Sequence, residues 1–551
     1  MELLHKYLKQ VDFDSYEDFN ENFSIIEPEK FNFAFDVVDY WADKEPEKTA
    51  LVYVDDFGNK KTFTFLDIKK LSCQAANYFL SKGIGKSDVV LLTLKHAHHY
   101  WYLSVGLHRI GAICVPATEQ LKSKDFEYRF YSANVKMAIC IGLEDHLDDI
   151  ELAISNIGRD VAKAYVGGFP SREGWDNIDL ALAAMSDVYE KPDDFPCDGD
   201  LMLMYFTSGT SGNPKIVAHN YKYPLGHITT AYYWSACENN GLHYSVAETG
   251  WAKCAWSKIY GQWLCGCAVL VHDMESFNPQ NLLGMMESQP ITSFCAPPTI
   301  FRFLIREDLD GRDFNHIKHM TTAGEPLNAE VYNIWHKKTG IKIREGFGQS
   351  ESVIIAGTFK WMEPKPGSLG KPNALYNIKM VDENGKFAAT GDVGQISIML
   401  DGGKIPIGLF QEYYQDAERT YDTFATGVYY TGDLAVMDEQ GFLWFEGRSD
   451  DVIKTSGYRV GPFEVESALM RHPAVMECAI TGVPDEIRGQ VLKASIVLNK
   501  GFAPSDELKV EIQNFVKAIT APYKYPRVIE FLEELPKTFN GKIKRFVLRN
   551  K

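Results

Sequence analysis

The segment from Tyr205 to Lys215, Tyr-Phe-Thr-Ser-Gly-Thr-Ser-Gly-Asn-Pro-Lys, suits one task above others: holding the oxygens of a phosphate chain. Thr207, Ser208, Thr210 and Ser211 offer hydroxyls, Gly209 and Gly212 allow backbone turns closed to other residues, and Lys215 follows Pro214 as a point charge. The apolar run Leu201 to Phe206 just before it reads as a buried strand that would hold the loop against a rigid edge. A flexible Ser/Thr/Gly linker has no such anchor. The Walker pattern is excluded, because it needs glycine at position 214 and a hydroxyl after the lysine.

A loop of this kind needs a scaffold, and the chain is long enough to supply one. Its 551 residues are 45% hydrophobic and 24% charged, which fits a globular protein of about three or four structural units. Helical and strand-like runs alternate from residue 62 to 118, with strands expected at Val89 to Leu94 and Ile113 to Pro116 and a helix at Tyr100 to Ile110. The rhythm returns at Ala138 to Ile141, Leu201 to Phe206 and Ala268 to His272, predicting stacked α/β layers with parallel sheets. From about residue 367 short strands and Gly-containing turns predict a smaller β-rich unit. After Gly447 an α+β module is expected, with helices at Pro462 to Arg471 and Ser505 to Ile519 and strands near Val475 to Val483 and Leu492 to Leu498.

Charge and cysteine usage bound the partners and the compartment. With 57 Lys and Arg against 74 Asp and Glu the formal net charge is −17, which argues against nucleic acid or an anionic membrane as the main partner. Residues 501–551 nevertheless hold ten Lys or Arg against six Asp or Glu, a local excess of four positive charges. The opening nineteen residues read as an amphipathic helix and not as a signal peptide, and the longest apolar stretch, Trp263 to Val271, is too short to span a bilayer. Ten cysteines without a Cys-x-x-Cys pair read as buried thiols in a reducing cytosol, so a cytoplasmic location is expected. The histidines at 96, 98 and 99 lack metal-ligand spacing and read as structural.

Beyond the loop, five more segments share one resemblance: Gly346-Phe-Gly-Gln-Ser-Glu351, Tyr430-Thr-Gly-Asp433, Gly447-Arg-Ser-Asp-Asp-Val-Ile-Lys454, Ser456-Gly-Tyr-Arg-Val-Gly-Pro462 and Pro536-Lys-Thr-Phe-Asn-Gly-Lys542. In order and spacing they resemble the signatures of the adenylate-forming superfamily, which includes acyl-CoA synthetases. The match covers roughly residues 40 to 550. Gly250-Trp-Ala-Lys-Cys-Ala-Trp256 and Ala521-Pro-Tyr-Lys-Tyr-Pro-Arg527 resemble its medium-chain acyl-CoA synthetase branch. The resemblance implies an α/β fold with a large N-terminal body (1–447) containing the β-rich subdomain, a hinge (448–451) and a small mobile C-terminal α+β domain (452–551).

It also implies an activity and a set of roles. A carboxylic acid would attack the α-phosphate of ATP to give acyl-AMP and pyrophosphate, and CoA would then displace AMP to give a thioester. Thr207 to Lys215 would hold the β- and γ-phosphates, and Glu351 would be the carboxylate for Mg²⁺. Phe347 would offer an apolar face to adenine, with Gly324, Glu325, Pro326, Glu345, Gly346, Gly348, Gln349 and Ser350 lining the remainder of the nucleotide site. Ser350 stands where threonine is commoner and keeps the hydroxyl. Asp433 would accept from the ribose hydroxyls, and Arg448 would place a positive fork near ribose and α-phosphate. Lys542 would bridge the carboxylate and α-phosphate in the adenylation transition state. Rotation about Asp450 would then withdraw Lys542 and bring Ser456, Gly457 and Tyr458 to the site for the pantetheine arm, with Arg459 facing phosphate. Arg488, Lys517, Tyr523, Lys524 and Arg527 would receive the CoA nucleotide.

The acyl pocket is expected around Trp251, Lys253 and Trp256, where an indole that shortens the tunnel would favour short, medium, branched or aromatic acids. Competing readings are a ligase that delivers its acyl group to a carrier protein and a non-catalytic nucleotide sensor. Retention of Lys215, Glu351, Asp433, Arg448 and Lys542 argues against the sensor. A homodimer is compatible with this composition, whereas nucleic acid and membrane insertion are not expected.

Overall fold

In a computed structural model of the chain, the described residues are 2–207, 214–455, 458–485, 488–521, 524–537 and 543–549, with only the backbone described for Lys454, Tyr458 and Arg459. The runs Val89–Thr93, Ile113–Pro116 and Val135–Ile141 are rich in β-branched and aliphatic residues, as strands covered on both faces must be. They pair in parallel at the centre of an eight-stranded sheet. Alternate side chains serve different cores: Val90 and Leu92 join the central one, Val89 and Leu91 an outer one. The preceding helix, Phe65–Ser81, starts at a capping box in which Thr64 accepts from the Asp67 N–H and the Asp67 carboxylate accepts from the Thr64 N–H.

A nine-stranded sheet packs against the first through that central core. Its parallel part orders the strands Ile343–Phe347, His319–Ala323, Ser293–Cys295, Leu242–Ser245, Ala268–Asp273 and Thr49–Asp55. The helix His99–Ile110 is buried at every one of its residues, and its Trp101 indole donates to the Lys258 carbonyl at 2.6 Å. The β-rich unit is a four-stranded antiparallel sheet of Asn377–Val381, Val393–Met399, Val428–Met437 and Leu443–Arg448. Its surrounding segments do not stay with it. Lys371–Pro372 joins the nine-stranded sheet and Glu412–Tyr413 the eight-stranded one.

After Arg448 the chain forms a five-stranded sheet with the helices Pro462–Leu469, Asp506–Ile519 and Arg545–Arg549. Its two hydrophobic clusters draw only on residues between Ile453 and Leu548, so this module carries its own core. The expected N-terminal helix is two short ones, Glu2–Tyr7 and Tyr16–Asn22, because Ser15 caps a new start by accepting from the Asp18 N–H and Phe13 packs edge-on to Phe19. The histidines at 98 and 99 stack at 4.2 Å, and the acid absent from the nearby sequence is supplied by Asp179, 2.8 Å from His99 Nε2. Among the described residues no helix is long and apolar enough to cross a membrane.

Gly370 joins the β-rich unit to the body through its bridge with Leu443. Its φ is +87°, and a Cβ there would lie 2.0 Å from the Gly357 carbonyl carbon. Gly370→Ala therefore combines backbone strain with an unavoidable clash, and a loss of about 3 kcal/mol or more is expected in chemical denaturation.

Candidate active site

The strand Leu201–Thr207 runs parallel to Ile113–Pro116, and Lys215–Asn220 returns antiparallel to it with Thr207 opposite Lys215. The strands on either side of the hydroxyl-rich segment therefore pair at the carboxyl end of a parallel strand, where α/β sheets offer a ligand crevice. Ser208, Gly209, Thr210, Ser211 and Gly212 lie outside the described residues. Pro214 is held by its carbonyl, which accepts from the Tyr128 hydroxyl at 2.8 Å.

The second sheet brings a matching edge. Ala323 pairs with Gly346 in parallel register, so Gly324 to Pro326 and Phe347 to Glu351 leave neighbouring strands side by side. Phe347 is partly buried against the central core. Two glycines of this segment answer to indoles: a Cβ on Gly346 would sit 2.6 Å from Trp234, and one on Gly348 2.3 Å from Trp256. The indoles meet edge to face at 6.3 Å. Glu345 is buried, accepts from the Leu327 N–H at 3.1 Å, and has its carboxyl pushed well above the usual range by burial and then by Glu325.

Glu325 is already committed elsewhere. Its carboxylate accepts from Arg302 at 2.6 Å, from the Thr299 N–H at 3.0 Å and from the Thr299 hydroxyl. Burial pushes this carboxyl up, but Arg302 and the Thr299 donors outweigh it and hold it below the usual range. All three contacts fall on Oε1.

A polar relay joins the β-rich unit to this edge. The Gln349 amide donates to Asp433 Oδ2 at 2.6 Å and to the Thr431 carbonyl at 2.7 Å, while its own oxygen accepts from the Tyr429 hydroxyl at 2.7 Å. Asp433 and Arg448 are cross-strand partners with ionic groups 3.4 Å apart, and Arg448 is 3.4 Å from Asp450. Burial opposes the Arg448 charge, but Asp433, Asp450 and Glu351 raise its pKa further. Glu351 accepts from the Tyr413 hydroxyl at 3.2 Å, and the Lys215 ammonium lies 5.0 Å from the Tyr413 ring centre. The neighbouring Ser350 is fixed through its carbonyl, which accepts from His219 Nε2 at 2.8 Å.

Lys253 does not reach for solvent. Its ammonium donates to the Ala323 carbonyl at 2.5 Å, and burial lowers its pKa against the opposing pull of Cys295 and Glu325. Trp251, partly buried, precedes the helix Ala252–Ser257 that carries Lys253 and Trp256, and of this helix it is Trp256 that packs against Gly348. Next to it Thr118 Oγ1 lies 3.3 Å from Glu119 and 3.4 Å from Glu248, whose carboxyl is pushed up by burial and by Glu119. Sequence reasoning missed this acid pair as well as Tyr413 and Tyr429. The pairing of distant segments creates all three contacts, and only the aromatic character of the tyrosines hints at a buried role.

In the C-terminal module Lys517 and Arg527 stand over the Tyr525 ring at 4.1 and 4.9 Å, whereas Lys524 is ion-paired with Glu464. Arg488 caps a turn by donating its N–H to Asp485, without a contact to that group. The backbone of Tyr458 and Arg459 pairs with Thr455 and Lys454. Ser456, Gly457, Tyr523 and Lys542 lie outside the described residues.

Residues 38–414 match the family model of the AMP-binding enzyme, and residues 464–542 match that of the AMP-binding enzyme C-terminal domain. The chain belongs to the AMP-binding enzyme family. It is 40% identical over 548 residues to the mitochondrial acyl-coenzyme A synthetase ACSM3 of Rattus norvegicus, covering 98% of this chain and 93% of that protein. The anthranilate CoA ligase AuaEII, solved with anthranoyl-AMP, superposes with a TM-score of 0.86 at 27% identity, over 95% of this chain and 98% of its own. An acyl-CoA synthetase of Brucella canis gives 0.74 at 30% identity, over 98% and 99%. The mixed α/β architecture expected from the motifs is thus that of AMP-binding enzymes.

One expectation is overturned. Relatives matched over nearly the whole chain carry mitochondrial names, which contradicts the cytoplasmic placement. Nine of the ten cysteines are indeed buried, but sparse buried thiols report a reducing environment and do not distinguish one reducing compartment from another.

For an AMP-binding enzyme, the relay through Gln349 makes a direct test. Gln349→Ala frees Asp433 from its closest donor, and AMP affinity measured by calorimetry is expected to fall about tenfold with the melting temperature little changed.

Proposed function

We propose how the labour of this enzyme is divided among the residues above. The chain is an ATP-dependent, AMP-forming acid–CoA ligase, with ATP and CoA as co-substrates. The body through about residue 447 binds ATP and the acid, residues 448–451 form the hinge at Asp450, and residues 452–551 form the mobile module. The separate core of that module supports this division. The matched relatives support a mitochondrial location.

The nucleotide site is supported by side-chain contacts that link three elements: Lys215 and Glu351 both approach Tyr413, and Gln349 donates to Asp433, the cross-strand partner of Arg448. The hairpin and Lys215 hold the β- and γ-phosphates. Asp433, oriented by Gln349, takes the ribose hydroxyls, and Arg448 faces the α-phosphate. Glu351 suits Mg²⁺, since one carboxylate oxygen accepts from Tyr413 and the other has no hydrogen bond among the described residues. When bound, the metal would neutralise phosphate charge.

Lys542 then stabilises the charge that builds between acid and α-phosphate. For the second step the module turns, and Ser456 to Arg459 face the crevice with Arg488, Lys517, Tyr523, Lys524 and Arg527 on the CoA nucleotide. The acyl group lies along Trp251, Lys253 and Trp256. A buried indole against Gly348 closes that end and favours short-to-medium, branched or aromatic acids.

Two outcomes test this division. Lys542→Ala should lose acid-dependent exchange of pyrophosphate into ATP by about a thousandfold while keeping most thioester formation from synthetic acyl adenylate; equal loss of both refutes it. Across acids from acetate through branched C4 and C5 to octanoate and benzoate, Trp256→Leu should shift the kcat/KM optimum toward longer chains. An unchanged profile would remove Trp256 from the pocket.

A further inference from the structure

The two groups proposed to face the leaving pyrophosphate come from different sheets, yet one side chain touches both. Glu412–Tyr413 is the edge strand beside Lys215–Asn220, with Tyr413 opposite Val217. Lys215 is therefore the diagonal neighbour of Tyr413 on the same face, within reach of an aromatic ring and a long side chain. Upstream, the same chain segment is zipped to the other edge of the site: the Phe410 N–H donates to the Glu351 carbonyl at 2.7 Å, and Leu409 bridges Ser352. Two sets of backbone hydrogen bonds thus place Tyr413 between Lys215 and Glu351.

Its two ends act differently. The ring faces the Lys215 ammonium at 5.0 Å, while the hydroxyl donates to Glu351 Oε1 at 3.2 Å. Among the described residues no ion pair joins Lys215 to Glu351, although both approach the same tyrosine. The Arg419 guanidinium also lies near the ring, at 5.8 Å, but is paired with Asp416 at 3.1 Å. The tyrosine is itself held: Phe410, fully buried, packs at 4.7 Å from its ring and 5.7 Å from Tyr429, the donor to Gln349.

We infer that Tyr413 is a positioning residue for adenylation, keeping the Lys215 cation and the Glu351 carboxylate apart and preset for the departing pyrophosphate; this rests on the roles proposed for those two residues. A lysine on a four-carbon stem and a carboxylate that met directly would neutralise each other and leave the phosphates unserved. The ring occupies the cation without cancelling its charge, and the hydroxyl fixes one oxygen of Glu351 so that the other is aimed. Both groups then pay no reorganisation when charge moves onto the leaving group.

Full-length Tyr413→Phe and Tyr413→Leu separate the two contacts. Tyr413→Phe keeps the ring and loses the hydroxyl: pyrophosphate exchange is expected to fall about tenfold and the Mg²⁺ midpoint to rise, with ATP affinity in EDTA unchanged. Tyr413→Leu loses both, and calorimetry in EDTA should show ATP affinity falling by about three- to tenfold as well. Thioester formation from synthetic acyl adenylate should stay within about twofold in both, a split that a merely structural tyrosine would not give. Equal losses in the two half-reactions, or unchanged exchange in Tyr413→Phe, overturn the inference. Lys215→Ala and Glu351→Gln tell its failure from that of the site: if these abolish exchange while the tyrosine variants do not, the positioning role alone is wrong. If these leave exchange intact, the site assignment falls and the inference with it.

Discussion

The stretch from Gly408 to Tyr414 is hydrogen-bonded along both sides, and the placement of Lys215 beside Glu351 depends on that double pairing. Toward one sheet, Gln411 and Tyr414 donate to the carbonyls of Ala218 and Ile216; toward the other, Val353 donates to Gly408 and Phe410 to Glu351. Backbone hydrogen bonds contribute about a kilocalorie each in net terms, so their importance here is geometric more than energetic. They fix the register of two edges that the topology alone would leave as neighbours. Gly408, at a φ of +84° and pressed against Gly226, lets the segment enter this gap.

With the register fixed, the charges of the site become intelligible. The chain as a whole is strongly acidic, yet its candidate phosphate-facing groups are cations placed one at a time: Lys215 over a tyrosine ring and Arg448 between Asp433 and Asp450. The ring leaves the Lys215 charge uncancelled, whereas Arg448 shares its charge with two carboxylates. Glu325 likewise has one carboxylate oxygen taken by Arg302 and Thr299. Packing does similar work on the apolar side, where Gly346 and Gly348 admit the indoles of Trp234 and Trp256 against the backbone of the Gly346 to Glu351 segment. These glycines are required by what lies against them, since neither has a positive φ.

How far this could be read in the sequence follows the range of the interactions. Local features were legible: the parallel strands through their uninterrupted apolar runs, the helix expected at Ser505 to Ile519 and found at Asp506–Ile519, and the strand leading into the Thr207 to Lys215 segment. The return of the chain from Lys215 as an antiparallel strand was not, because nothing near Lys215 names its partner. Tyr413, Tyr429 and the acid pair around Thr118 were invisible for the same reason: the contacts Tyr413–Glu351, Tyr429–Gln349 and Thr118–Glu248 span between 62 and 130 residues of sequence. At Glu325 nothing in the sequence pointed to Arg302, on the helix Pro298–Leu304, whose guanidinium takes one carboxylate oxygen.

The C-terminal module raises a last point about what must move together. Asp451, one residue beyond the proposed pivot, is ion-paired with Arg545 and Arg549, and Arg545 is also bidentate to Glu466 at 2.8 Å. Glu466 in turn accepts from the Ile480 N–H in the module's central hairpin. Burial opposes the Arg545 charge, but Glu466 and Asp451 outweigh it and raise its pKa, which marks the cluster as a strong structural tie. The ion pairs of Arg545 and Arg549 lie just beyond the segment that carries Lys542. If the module turns at Asp450, these pairs make the first residue past the pivot, the helix after Lys542 and the module's sheet one rigid piece. A turn at a single backbone position would then carry the helix Arg545–Arg549 and the sheet together, without any change in the ion pairs that join them.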